Sequence, residues 1–149
     1  MRLPIKARDL PGRVTTGGYI LHTGLEKWHG DEARAEALHR MAANAFPILT
    51  NIPPARFLRI LAGSEIAIGS ALIAPVVPGL LAGAALTGFS GALLAMYGRT
   101  PALRRPGSIW PSQVGTAVSK DVWMLGIGLG LVTGALNRSY DCLGSRLVH

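Results

Sequence analysis

Cysteine is nearly absent: Cys142 stands alone in 149 residues. A disulfide scaffold is therefore excluded, because it needs pairs. Charge is scarce as well, with Asp, Glu, Lys and Arg making up 15% of the chain against about 25% in ordinary soluble domains. Disorder is excluded too, since it combines low hydrophobicity with high net charge. Acidic residues are the rarer sign, 8 against 15 Lys and Arg. Aromatic residues reach only 6% and do not interleave with the basic ones as on an RNA-binding surface, so nucleic acid is not an expected partner. The sequence contains no phosphate-binding glycine loop, metal-ligand cluster or Ser-His-Asp spacing. Catalysis by this chain alone has little to stand on.

What the chain has instead is apolar length. Hydrophobic residues account for 49%, glycines number 19, and the mean hydropathy is +0.34. The run from Ile66 to Gly98 carries no charge. Its length, about 33 residues, exceeds one bilayer span of about 20. Pro75-Val76-Val77-Pro78-Gly79 breaks it, as prolines and glycine end one helix and turn into another. Similar reasoning predicts four spans, at about residues 10–26, 55–77, 79–97 and 114–136. The first is the most polar and needs neighbours to hold it. Pro11, Gly12 and Arg13 interrupt it as a signal-peptide core, so a retained helix is expected. The fold expectation is an all-α four-helix transmembrane bundle.

Between the first two spans, Asp31 can cap a helix whose first turn holds Glu32. Leu38, Met41, Ala42, Ala45 and Phe46 then recur at amphipathic spacing. This segment is expected to be a short interfacial helix lying on the membrane surface, or else a helix packed on the end of the bundle. Basic residues sit mostly outside the apolar stretches, where anionic lipid headgroups would meet them. Trp28 and Trp110 flank span ends, where aromatic residues favour the interface. The N-terminal side carries Arg2, Lys6, Arg8, Arg13, Arg138 and Arg146. The other carries Lys27, Arg34, Arg40, Arg56, Arg59, Arg99, Arg104 and Arg105, which leaves orientation open.

Small-residue ridges predict close helix packing, in a compact bundle or equally between copies in an oligomer. Gly126, Gly130 and Gly134 form one; Gly79, Gly83, Thr87 and Gly91 another; Gly63, Ala67 and Ala71 a third. Arg13, Gly17, Ile20, Gly24 and Lys27 share a face of the first helix. Charges inside the spans are the informative chemistry. Glu65 is expected about 15 Å along its helix, and Lys120 and Asp121 about 7 residues into theirs, nearer the same side. Burying one charge alone is costly, so a Glu65–Lys120 ion pair or an uncharged Glu65 is expected. With Asp121 they form the candidate buried polar cluster; Lys27, Arg56 and Arg59 are candidate headgroup or partner contacts. The cluster reads either as a structural contact that fixes helix register or as a pocket for a proton, a quinone head or a small substrate. His22 is the one histidine expected in a span, so a bis-histidine haem is not expected. Cys142 has no partner for Cys-X-X-Cys chemistry, and no metal is expected.

Three segments carry a family resemblance. The first is Gly12-Arg13-Val14-Thr15-Thr16-Gly17-Gly18-Tyr19-Ile20-Leu21, followed by Gly24-Leu25-Glu26-Lys27. The second is Ala62-Gly63-Ser64-Glu65-Ile66-Ala67-Ile68-Gly69-Ser70-Ala71-Leu72, and the third Ser119-Lys120-Asp121-Val122-Trp123-Met124-Leu125-Gly126. In this order they resemble the R…G…G-x-x-K, G-x-E-x-x-x-G and K-[DN] helices of DoxX-like membrane proteins. The Pro-rich loop before the last helix and the amphipathic insert resemble the actinobacterial branch. The resemblance implies a multi-pass protein of the bacterial cytoplasmic membrane. Relatives include the membrane subunit of a thiosulfate:quinone oxidoreductase and members that join a redox complex with a superoxide dismutase and a sulfurtransferase. The expected role is a non-catalytic subunit or scaffold of a redox-linked membrane complex, in contact with lipids and other subunits. The alternatives are a quinone-linked oxidoreductase subunit, with quinone the one cofactor implied, and a small-molecule carrier.

Overall fold

The computed structural model describes residues 7–146, with side chains through residue 137. Arg2, Lys6 and His149 lie outside the described residues, as do the side chains of Arg138, Asp141, Cys142 and Arg146. All regular structure among the described residues is helical, apart from one isolated bridge between Arg104 and Pro111. Four long helices are α1 (Leu10–Trp28), α3 (Pro54–Ile73), α4 (Gly79–Arg99) and α6 (Asp121–Arg146); α2 (Glu32–Ala45) and the single turn α5 (Thr116–Ser119) lie between them.

Local chemistry sets most of the boundaries. The Asp31 carboxylate accepts the Arg34 backbone N–H at 2.9 Å and starts α2. Pro54 opens α3 at a position where its missing N–H costs nothing. Helix α3 ends at Ile73, short of the expected residue 77, because Pro75 disfavours helical backbone at Ala74. The last span is also shorter at its start than the expected 114–136: residues before Asp121 fold as a turn plus α5. The Ser119 hydroxyl donates to Thr116 O at 3.0 Å, a local bond that competes with helix propagation. Gly115 lies so close to Leu103 that a Cβ there would overlap its carbonyl.

The helices pack as two antiparallel pairs, α1 along α3 and α4 along α6. Glycine makes both contacts close. A Cβ on Gly69 would sit 2.7 Å from the Leu21 nitrogen, and one on Gly17 2.9 Å from the Gly69 oxygen. In the second pair, Gly83 meets Leu131 and Gly128, and Gly128 meets Thr87. Within the chain, the expected ridge of Gly126, Gly130 and Gly134 is not the one that packs. Added Cβ atoms on Gly126, Gly130 and Gly91 meet nothing within 4 Å, and one on Gly134 meets Arg8 rather than a helix. Two residues rotate a helix by about 200°, so the face through Met124, Ile127, Gly128 and Leu131 packs while Gly126 and Gly130 turn outward.

The pairs join through Ile20, Leu72, Ala82, Leu86 and Leu131 near the Pro75–Pro78 turn. At that end Arg13, 1% exposed, closes α1 onto α3. Its guanidinium donates to the carbonyls of Leu72 at 2.7 Å, Ala71 at 2.9 Å, and Ala74 and Val77 at 3.1 Å. These include last-turn carbonyls that no helical N–H can reach, and a cation suits the negative helix C-terminus. At the other end α2 packs its buried Ala42 and Ala45 against Met96 of α4.

One described helix, Gly79–Arg99, is long and apolar enough to cross a membrane, with mean hydropathy 1.6 in its most apolar stretch. Replacing Gly69 with leucine is expected to lower the unfolding temperature in mild detergent by at least about 5 °C, the shift of an overpacked contact. Gly126→Leu, on the outward face, is expected to change it by less than about 2 °C.

Candidate functional site

Above the shared core the two helix pairs diverge, and α2 and the Val114–Val118 segment cover the gap. The result is a chamber of about 680 Å³, within the usual range of about 300–1,000 Å³ for small-molecule sites. Its walls are apolar: Leu38 and Phe46 around α2, Phe57 and Leu61 from α3, Leu93 and Met96 from α4. Its charged lining consists of Lys27, Glu65, Lys120 and Asp121.

Glu65 is 5% exposed and faces α1. The approach of the two helices puts Gly24 against it, where an added Cβ would lie 2.9 Å from the Glu65 Cβ. One turn further along α1, the Lys27 ammonium donates to both carboxylate oxygens, at 2.9 Å to Oε1 and 2.8 Å to Oε2. The Thr23 hydroxyl donates to Oε2 at 3.4 Å. Lys27 is thus an internal partner of Glu65 and not a headgroup contact. The expected Glu65–Lys120 pair is corrected with it. Lys120 sits at the head of α6, whose glycine contacts hold it to α4, while Lys27 arrives on the helix that glycines bring closest to Glu65. The Lys120 ammonium instead donates to the Tyr19 hydroxyl and stands 4.3 Å from the centre of that ring.

Asp121 is 4% exposed and reaches the chamber from the first turn of α6. Among the described residues, no hydrogen bond or ion pair reaches its carboxylate. Arg59 stacks over the Trp28 ring at 4.8 Å, and Arg56 is exposed beside it on α3. Of the expected cluster, Glu65 and Asp121 share the chamber as buried acids and Lys120 flanks them half-buried.

Two features escaped the sequence reading. Lys27 was legible in principle, since it follows Arg13, Gly17, Ile20 and Gly24 on the face that packs on α3. The chamber was not, because it depends on how far apart the helix pairs stand. The chain matches no protein-family model, no curated protein and no solved structure.

Two mutant cycles check the pairing. Lys27→Met is expected to destabilise the folded protein by about 3 kcal/mol, leaving a buried carboxylate without its cation. Adding Glu65→Gln to it is expected to recover part of that loss, a coupling above about 1 kcal/mol in thermal unfolding. Lys120→Met combined with Glu65→Gln is expected to be additive within about 0.5 kcal/mol.

Proposed function

We propose that this is a multi-pass membrane protein with α1, α3, α4 and α6 as spans, of the DoxX-like type. It serves a larger membrane assembly, redox-linked as in the relatives the resemblance names, as a non-catalytic subunit. Its own contribution is to hold a small lipid-soluble molecule in the chamber between its helix pairs. The observation that carries this reading is the chamber itself: apolar walls of ligand-binding size around a few converging polar groups.

The distribution of side chains supports the membrane part. Arg13, Glu65 and Asp121 turn inward, at 1%, 5% and 4% exposure, while the exposed charges Glu26, Arg56, Arg59 and Arg99 sit within the first or last two turns of their helices. Large apolar side chains turn outward on the same helices: Val14 and Leu25, Ile60, Leu81, Val122 and Trp123. Only 33% of the most apolar stretch of α4 is buried, whereas the core helix of a water-soluble protein hides most of such a face. Lipid-facing helices have this arrangement, since ionic groups in hydrocarbon must face the bundle interior.

A ligand entering from the bilayer would place its apolar body among Phe46, Phe57, Leu93 and Met96 and its head near Lys27, Glu65 and Asp121. A quinone ring is one candidate occupant of these dimensions. The helical clamp formed by Arg13 also bears on orientation. Its Nε and Nη2 donate to carbonyls and the side chain is buried, so it drops out of the basic residues flanking the turn end. The chamber end keeps the larger set, which favours a cytoplasmic chamber end by the positive-inside rule.

Expressed protein is expected to stay with membranes through an alkaline carbonate wash and to require detergent for release. Protein purified in mild detergent is expected to retain an apolar small molecule recoverable in organic extract, together with other subunits. Recovery as a monodisperse protein without detergent overturns the reading. In a Cys142→Ser background, Gln113→Cys is expected to resist an impermeant thiol reagent in intact cells and to react after the membrane is opened.

A further inference from the structure

Three of the four charged groups around the chamber already have partners. Lys27 and Glu65 satisfy each other at 2.8 and 2.9 Å, and Lys120 is held by the Tyr19 hydroxyl and ring face. The remaining one is the Asp121 carboxylate. It lines the chamber at 4% exposure and, among the described residues, accepts no hydrogen bond. A carboxylate offers only acceptor oxygens, and a buried polar group without a partner is expensive. The unmet demand of this site is therefore for a hydrogen-bond donor, most fully met by one that also carries positive charge.

The geometry points to a specific ligand class: an amphiphile with an apolar, ring-sized body and a hydrogen-bond-donating head, an ammonium or hydroxyl group that binds Asp121. This rests on the chamber reading above and sharpens it. A head that only accepts, such as a ketone or quinone carbonyl, would find Lys27 taken up by Glu65, would draw only on the N–H groups that Tyr19 leaves to Lys120, and would leave the Asp121 carboxylate without a donor. An anionic head would meet the Asp121 carboxylate, with Glu65 already paired to Lys27 and, among the described residues, Lys120 the one cation left to offset the repulsion. On this account the reduced, hydroxylated form of a ring carrier fits the floor of the chamber better than its oxidised form.

Matched probes test this. The full chain in nanodiscs of zwitterionic lipid is titrated by calorimetry at neutral pH with four naphthalenes: 1-naphthylmethylamine, 1-naphthalenemethanol, 1-acetonaphthone and 1-naphthoic acid. Heats from empty discs are subtracted. The amine is expected to bind at least about tenfold tighter than the ketone and the acid, the usual scale of a hydrogen bond to a charged group, with the alcohol between them. Asp121→Asn is expected to erase most of the advantage of the amine, and Asp121→Glu to retain it. Tighter binding of the ketone or the acid overturns the inference, as does a ranking that Asp121→Asn leaves unchanged. Equal binding of all four refutes the head preference while the chamber reading stands. Binding by none refutes both. The wild-type ranking decides by itself if the Asn variant does not fold.

Discussion

The ion pair between Lys27 and Glu65 is the contact on which the interior depends. Both groups are largely withdrawn from water, with side chains 15% and 7% exposed. A buried charge is tolerated only when its partner is held in place with good geometry. Here the holding is done by backbone: glycines at 17, 24 and 69 let α1 and α3 approach until Lys27 reaches both oxygens of Glu65. At the far end of the same two helices Arg13 ties α1 to the last carbonyls of α3. The pair is thus locked at both ends by cations from one helix and anionic or partly negative groups on the other. A one-residue slip would turn Arg13 or Lys27 by about 100° and strand a charge among apolar side chains. Register is therefore specified by these polar contacts together with the glycine contacts.

The same locking explains the chamber. Close approach within each pair fixes α1 to α3 and α4 to α6; between pairs one core lies toward the turn end, around Leu72 and Leu86, and at the other end Phe57 of α3 and Met96 of α4 meet around α2. Toward the other end no glycine contact draws the pairs together, and larger side chains such as Phe57 and Met96 line the gap. Helix α2 and the residue that ends it cover the top of the gap with Leu38, Met41, Ala42 and Phe46. Lys27 and Glu65 lie at the boundary between the tight half and the open half. That position is why a contact that sets register also forms part of a ligand-sized floor.

The helical architecture was legible in the sequence where the local signal is strong. Pro75 and Pro78 marked a turn, the charge-free run marked α4, and Asp31 marked the start of α2. What escaped was rotation about each helix axis. Gly126, Gly130 and Gly134 make a more regular ridge than Gly128 with Leu131, yet the contact uses the latter. Spacing reveals that a face exists and leaves open which face meets a neighbour. For the same reason Glu65 could be seen to need a cation, while the choice between Lys27 and Lys120 turned on which helix lies against α3. The short start of α6 escaped for a different cause. The side chains of Ser112, Thr116 and Ser119 bond to nearby backbone in addition to the i→i−4 bonds of this turn, a local competition that can end a helix early.

Hydropathy alone selects α4 and passes over its partners, and the contacts explain the difference. Averages count every residue as though it faced the surroundings. In α1 the lowest contributions come partly from Arg13 and Lys27, and in α3 from Glu65; in the bundle these are the residues turned away from the surface. Arg56 and Arg59 sit in the first two turns of α3, where long basic side chains extend toward the helix end and reach polar surroundings. Arg59 does so along the Trp28 ring, an amphipathic pairing suited to a lipid–water boundary. What a surrounding lipid would meet on α1 and α3 is instead Val14, Leu25, Ile60 and Ile73, all exposed. Helices whose ionic groups pair with one another inside the bundle can present an apolar exterior that their average composition conceals. In the proposed four-span arrangement the polar character of α1 and α3 is then a consequence of the interior they build.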